Sequence, residues 1–398
     1  MANVSQIRNC YGCGVCATVC ARNIIDIRLN KDGFYEPVIS SENKCTNCGL
    51  CVEVCSFSHT ELASTPVNIR SYASWSNNKA IQRKASSGGV GFEIAKQGVE
   101  RGYKFCGCRY NPHMNRAEHY VAETVEEAIP SIGSKYIQSY TCDGFKAINR
   151  KEKYIVTGTP CQIDSFRRYI KKFRIENNFI LMDFFCHAVP SMWAWKKYCH
   201  EVEKITGRIT NAIWRNKLTG WHDSWVVSID GEKGQKTVSE NRDFTLDEHK
   251  SLYNSWFTRG DVFYKMFLGD FCCNPACQNN CKFKYDKSSA DIRIGDLWGN
   301  EYRNNEDGVS ALITFTPKGE EVVSSLNNVT IKEHKFDVVA EGQMKENAKK
   351  AHVAWLAKIM LNNDKQYSMK QWKLLIKLEG LINLPKRIVN KIKWIMSR

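Results

Sequence analysis

Twelve of the eighteen cysteines stand at spacings that could bind metal. Cys10-x2-Cys13-x2-Cys16-x3-Cys20 recurs as Cys45-x2-Cys48-x2-Cys51-x3-Cys55. Three cysteines so spaced can grip three iron corners of one cubane, and the fourth, set back by three residues, reaches the other cluster. The spacing therefore predicts two [4Fe–4S] clusters, one on Cys10, Cys13, Cys16 and Cys55, the other on Cys45, Cys48, Cys51 and Cys20. The proline that usually follows the fourth cysteine is Ala21 in the first run and Ser56 in the second, which weakens the turn signal and leaves the ligand count intact. Zinc would also take four cysteines, but its sites come as separated C-x2-C pairs.

A second set is scattered. Cys161 in TGTPCQ and Cys186 in FFCHAVP each lie just past the C-terminal end of an expected strand, the edge of an open α/β sheet where ligands bind. Cys161 also falls in the first turn of a helix, whose positive end favours a thiolate. Either could instead be a core cysteine. The loop NPACQNNCKFK adds Cys277 and Cys281, with Cys272 and Cys273 just before it. Cys161, Cys186, Cys277 and Cys281 would make a third [4Fe–4S] site; a set local to the loop, with Cys272 or Cys273, is the rival. Cys106, Cys108, Cys142 and Cys199 are left as packing or surface residues. ASSGGVGF opens a helix with Ser86, Ser87, Gly88 and Gly89, which could offer amides and hydroxyls to a phosphate. GSKYIQS, residues 133–139, adds Lys135. No GxGxxG follows a strand, so a nicotinamide dinucleotide site is not indicated.

The elements that must hold these residues read as follows. NIIDIRLNKDGFYEPVIS is two short strands around the Asp32-Gly33 turn. KYIVTG runs as a strand into TPCQIDSFRRYIKKF, a helix with Thr159 as N-cap and Pro160 at its first position. FILMDFF is a second strand followed by a helix from about Ser191, so a βαβ unit with parallel strands is expected. Thr124-x-x-Glu127 looks like a capping box. Residues 223–240 read as a hairpin around Asp230-Gly231, and YNSWFTRGDVFYKMFLG as one amphipathic helix. The expected fold is an α+β ferredoxin-like dicluster domain over 1–62, a mixed α/β core over 68–325, flavin-binding by the family resemblance given below, and a helical C-terminal extension over 326–398.

The 398 residues, 43% hydrophobic and 25% charged, suit a globular chain of two or three domains. No apolar run reaches the ~18–20 residues of a membrane helix, and no signal peptide is visible, so a cytosolic location with reduced thiols is expected. The net charge of +15 favours an acidic partner, such as an electron carrier like ferredoxin or flavodoxin. No nucleic-acid-binding signature accompanies it. LPKRIVNKIKWIMSR, at the C-terminal end, could form a basic amphipathic helix that lies on an anionic membrane or packs on its own domain.

Together the segments SSGGV, GSKYIQS, TGTPCQ, DFFCHAVPS, CNPACQNNCKF, ADIRIGDLWG and GVSALITF, in that order, resemble the beta subunit family of coenzyme F-420 hydrogenases and dehydrogenases, fused to an N-terminal two-cluster ferredoxin domain. The resemblance spans about residues 1 to 320. It implies an FAD contacted by Ser86, Ser87, Gly88, Gly89, Gly133, Ser134, Lys135 and Tyr136, with Gly158 and Thr159, and a [4Fe–4S] cluster on Cys161, Cys186, Cys277 and Cys281. Two features depart from it. The usual C-x2-C pair is Cys277-x3-Cys281 here, and the last 70 residues do not follow the family pattern. Similar short forms are frequent in bacterial polysaccharide biosynthesis, which suggests a small-molecule or glycan-precursor substrate; coenzyme F-420 need not be used. The resulting expectation is an iron–sulfur flavoprotein oxidoreductase fed by a ferredoxin-like donor, with an electron-relay subunit as the alternative. His187 and Asp296 are candidates for proton transfer, each with a structural role as the simpler reading.

Overall fold

The structure is a computed structural model that describes residues 3–234 and 251–385. The expected basic helix over 386–398 and residues 235–240 of the expected 223–240 hairpin lie outside the described residues.

Strands β1 (Ile25–Leu29) and β2 (Tyr35–Ile39) pair antiparallel, Ile25 opposite Ile39. Gly33 turns the chain between them with φ +79°, and a Cβ there would sit 2.5 Å from Ser191 Oγ, so only glycine lets the turn dock on the helix Met192–Thr206. Each cysteine run carries a short helix, Val15–Val19 and Leu50–Glu53, opened by a left-handed glycine, Gly14 or Gly49.

Among the described residues the main sheet has nine strands. In chain order they begin with β3 (Arg70–Ser76), β4 (Lys104–Asn111), β5 (Arg116–Ala122), β6 (Ser139–Tyr140), β7 (Tyr154–Thr157) and β8 (Phe179–Phe184). A separate antiparallel sheet holds β9 (Ile209–Ile213), β10 (Val226–Gly231) and β11 (Tyr253–Trp256). The main sheet then resumes with β12 (Ile292–Asp296), β13 (Ser310–Thr314) and β14 (Val329–Glu333), in the spatial order β14-β3-β13-β12-β8-β7-β4-β5-β6. The pairs β4–β7, β7–β8 and β8–β12 are parallel. Covered on both faces, β8 is buried from Phe179 through Asp183, which is why its sequence does not alternate.

The crossover helix Pro160–Lys172 is closed at its start by a capping box, with Gln162 Oε1 accepting from the Thr159 amide at 2.8 Å. At the Thr124 cap only half of a box forms: Thr124 accepts from the Glu127 amide, but the Glu127 carboxylate takes the Glu123 N–H instead.

Three expectations on secondary structure change. Asp230-Gly231 is the end of β10 rather than a hairpin turn; the ladder to β9 bulges there, and a Cβ on Gly231 would meet Thr206 O at 2.4 Å. The stretch from Tyr253 divides into β11 and the helix Val262–Leu268, because Gly260 (φ +88°) breaks the chain and the Asp261 carboxylate caps the Tyr264 amide. Past residue 325 the chain still supplies β14 to the sheet edge before the helices Ala354–Asn362 and Met369–Ile382. No helix among the described residues is long and apolar enough to cross a membrane.

The N-terminal segment shares one apolar core with the sheet: Val15, Ile24 and Val54 cluster with Phe145, Ile163 and Phe166. Polar contacts reinforce it. Tyr35 donates its amide to Gln138 Oε1 (2.9 Å), and Thr141 Oγ1 donates to Cys13 O (2.8 Å).

Behind this seam, on β5, the His119 ring packs against Phe145, with Nε2 2.9 Å from Thr157 O and a buried Nδ1 that has no partner among the described residues. Burial pushes the imidazole down to about 4, whereas an unfolded histidine takes its proton near about 6.5. Between those values the unfolded chain binds more protons than the folded one. Stability present above about pH 6.5 is therefore lost as pH falls toward 4, by about 3 kcal/mol in all. The melting-temperature gap between the protein and His119→Gln should narrow as pH drops from about 7 to about 5; a constant gap would contradict the neutral buried ring.

Candidate metal centre

The two N-terminal cysteine groups differ in depth. Cys10, Cys13, Cys16 and Cys55 are buried together, and the thiols of Cys10 and Cys16 each feel the charge of both Cys13 and Cys55. In the other group Cys51 feels Cys20 and Cys48. There Cys48 is exposed and Cys20 and Cys45 are half-buried, so this group lies nearer the surface. The fourth cysteine of each run thus lies with the opposite run, brought there because the short helices Val15–Val19 and Leu50–Glu53 pack on each other. Donors surround the sulfurs: the Gly12 amide points at Cys10 Sγ (3.3 Å), Ser165 Oγ lies 3.2 Å from Cys13 Sγ, and Asn3 Nδ2 reaches Cys45 Sγ (3.5 Å).

The scattered cysteines meet at the C-terminal edge of the sheet. Cys161 sits in the first turn of Pro160–Lys172, Cys186 two residues beyond β8, Cys277 in the short helix Pro275–Asn279 and Cys281 just after it. All four line one cavity. Burial is the largest cause pushing the thiols up: Cys186 to about 11, Cys277 to about 12, and Cys161 well above its ordinary value. Cys161 also feels Cys277 and Cys186, so four thiolates here would repel one another without a cation among them. A metal cluster supplies that cation, and the donor set fits a four-thiolate cubane.

Cys272 and Cys273 turn away from this cavity. Cys272 Sγ faces Met266 O, and Cys273 Sγ lies 3.6 Å from both Phe267 O and Asp270 Oδ1. His187 lines the cavity, yet its Nε2 is 2.8 Å from Asp270 Oδ1, a satisfied pair. Asp296 is held by Arg215 (2.9 Å) and the Trp221 indole (3.1 Å). Of the remaining cysteines, Cys106, Cys142 and Cys199 are buried and Cys108 is half-buried; Cys142 lies beside the first N-terminal group, near Cys13 and Cys16.

Two cavity residues escape a reading based on cysteines. Tyr11, between Cys10 and Cys13, lines the cavity and donates its hydroxyl to Asn280 O at 2.5 Å, so one side chain borders both the buried N-terminal group and the third site. Lys284 also lines it, donating to the carbonyls of Cys186 (2.8 Å) and His187 (2.6 Å) and drawing the Cys186 and Cys277 thiols down against the effect of burial. A cation three residues after Cys281, the last lysine of CKFK, was the available signal for the second; position between two ligands was the signal for the first.

The residues expected around a flavin fall into two groups. Ser86 and Ser134 meet, the Ser134 amide donating to Ser86 Oγ at 2.8 Å. Ser87 Oγ and the Gly88 amide turn to Ser310 Oγ (2.8 and 2.9 Å), and a Cβ on Gly88 would lie 2.3 Å from Ser74 O, so this glycine serves close packing. Gly89, with φ +87°, opens the helix Val90–Glu100, whose first amides face away from the helix's own carbonyls. Gly133 (φ +83°) stands open: a Cβ there would have no neighbour closer than 3.9 Å. The Lys135 ammonium donates to the carbonyls of residues 130–133, and burial pushes it down to about 8. Tyr136 lies against Trp225, ring centroids 4.9 Å apart, with its hydroxyl 3.3 Å from Arg215. Gly158 and Thr159 belong elsewhere: Thr159 lines the cysteine cavity with its hydroxyl 3.2 Å from Cys161 Sγ.

Residues 9–58 match the 4Fe-4S dicluster domain, and residues 151–338 match the family described as the C terminus of the coenzyme F420 hydrogenase/dehydrogenase beta subunit. Residues 151–338 belong to that beta subunit family. Within it, the matched region carries all four cysteines of the cavity, and the dicluster match carries all eight N-terminal ones. A chain of the F420-reducing [NiFe] hydrogenase complex from Methanosarcina barkeri is similar in structure, with a TM-score of 0.44 at 14% identity, over 82% of this chain and 92% of that one. No curated protein matches the sequence.

Proposed function

We propose that the protein is an iron–sulfur flavoprotein oxidoreductase that takes electrons from an acidic, ferredoxin-like donor and delivers them to a small-molecule substrate. The observation that carries this reading is the ordered depth of three cysteine groups: one reaching the surface at Cys48, one buried around Cys13, and one lining a cavity at the sheet edge. Bound [4Fe–4S] clusters would supply single-electron transfer and bound FAD two-electron chemistry. The first two would rest on the eight N-terminal cysteines and the third on Cys161, Cys186, Cys277 and Cys281.

Around them the chain's own groups have distinct tasks. Tyr11, packed between Phe57 and Phe283, closes the wall between the second and third groups and keeps water from it. Lys284 places a positive charge beside the cavity thiolates. The amides at the start of Val90–Glu100 and the open flank of Gly133 would receive the flavin's anionic portion. Lys135 acts through its turn: by gathering four carbonyls it holds Gly133 and Ser134 against Ser86.

An electron-relay subunit docking on a larger oxidoreductase is the second reading. It is favoured by one observation, that Ser87 and Gly88 already spend their polar groups on Ser310. Anaerobic purification distinguishes the two. The oxidoreductase reading expects about twelve irons and one FAD per chain; full iron with no flavin, and no uptake of added FAD, leaves only the relay. Lys135→Ala should weaken flavin retention roughly tenfold or more, as loss of charge-assisted bonds does, with iron content unchanged. Unchanged flavin retention would remove Lys135 and its turn from the site.

A further inference from the structure

Four large apolar side chains stand exposed along the helix Met369–Ile382: Leu374 at 68%, Leu378 at 41%, Leu381 at 66% and Ile382 at 43%. Their spacing puts them on one stripe. The adjoining face is spent, with Trp372 and Leu375 buried in the helical core beside Val262, Phe263 and Met266. Lys370, Lys373 and Lys377 are exposed along one border of the stripe. Glu379 is the one acid in this helix, and it is committed: it accepts from the Val353 amide (3.1 Å) and Asn383 Nδ2 (2.7 Å) and pairs with His352 Nδ1 (2.9 Å). That clamp joins the helix Ala354–Asn362, where Trp355 and Ile359 are also exposed.

We propose that this face seats the protein on an anionic membrane surface, the apolar side chains entering the boundary between headgroups and acyl chains and the lysines meeting anionic headgroups. Charge decides the occupant. A second copy of the chain would set lysine against lysine, with no free acid on the face to pair them. The sequence that follows continues the same composition: Lys386, Arg387, Lys391, Lys393 and Arg398 stand among Ile388, Ile392, Trp394 and Ile395, without one acid. The seat is independent of what the cysteine groups hold.

The test is co-sedimentation of the full-length protein with vesicles of phosphatidylcholine alone and of phosphatidylcholine mixed with phosphatidylglycerol. Binding is expected on the mixed vesicles and not on the neutral ones. The triple variants Leu374→Ser/Leu378→Ser/Leu381→Ser and Lys370→Glu/Lys373→Glu/Lys377→Glu should each lower it at least about tenfold. All six positions are exposed, and unchanged iron content verifies that each variant folds. A chain ending at residue 385 should keep part of the binding. No binding by the full-length protein, equal binding to both vesicle types, or triple variants that bind unchanged would each overturn the proposal. So would a dimer that the leucine variant converts to monomer on gel filtration, because the face would then belong to a second copy.

Discussion

Cys161→Ser or Cys186→Ser should lower the anaerobic iron content from about twelve atoms per chain to about eight, with labile sulfide falling in step. Both residues line one cavity with Cys277 and Cys281, and none of the eight N-terminal cysteines lines it. Serine keeps the size of the side chain and the first turn of Pro160–Lys172, so the fold has no reason to fail with the site. The N-terminal groups draw on separate loops and should keep their eight irons and their low-temperature paramagnetic resonance on reduction. Cys273→Ser is the control: its sulfur faces Phe267 O and Asp270 rather than the cavity, and it should leave iron near twelve. Iron that stays near twelve in the Cys161 and Cys186 variants would dissolve the four-cysteine site. Zinc found in place of iron would remove the electron-transfer reading altogether.

The second large effect is structural. Asp183→Ala should destabilise the protein by about 3–5 kcal/mol, the cost of leaving a buried charge unpaired. Asp183 on β8 and Arg293 on β12 are register partners with side chains wholly buried, joined by two bonds of 2.7 Å. Arg293 also donates to the carbonyls of Tyr285 (2.7 Å) and Lys287 (2.9 Å), in the loop that leaves Cys281. The pair therefore fixes Cys186, three residues past Asp183, relative to Cys281. An anaerobic urea titration should show the loss in stability. The double variant Asp183→Leu/Arg293→Met should recover most of it, since replacing both partners leaves no charge stranded. A loss under about 1 kcal/mol for the single variant would mean that Arg293 finds water or another acid.

Much of this was legible in the sequence because the deciding constraints are local. The Pro160–Lys172 helix declares itself through Thr159, Pro160 and Gln162, three neighbours whose preferences agree. The β1–β2 hairpin follows from the Asp32-Gly33 turn between two short apolar runs. Where local signals conflict, reading fails. The run from Tyr253 has helical spacing of apolar residues, but its first four residues gain a ladder with β10 and Gly260 stops the periodicity. Asp230-Gly231 has the composition of a hairpin turn, yet glycine is needed there for close approach to Thr206, which no local rule reveals.

The sequence by itself determined which residues could bind iron at the N-terminal end. Eight cysteines within 46 residues have few ways to meet, and the three-residue setback of Cys20 and Cys55 already implies exchange between the runs. It also nominated Cys161 and Cys186, because a strand's C-terminal edge is a local property of the strand and the turn after it. Only the tertiary structure decided that they share a cavity with Cys277 and Cys281 and not with Cys272 or Cys273. That outcome depends on the parallel pairing of β7, β8 and β12 and on the buried Asp183–Arg293 bridge, and the β8–β12 contacts join segments more than 100 residues apart. It likewise set Tyr11 between two cysteine groups and turned the Ser87 and Gly88 polar groups toward Ser310. Side-chain direction at such positions is fixed by what packs against them, and the chain brings those neighbours together only on folding.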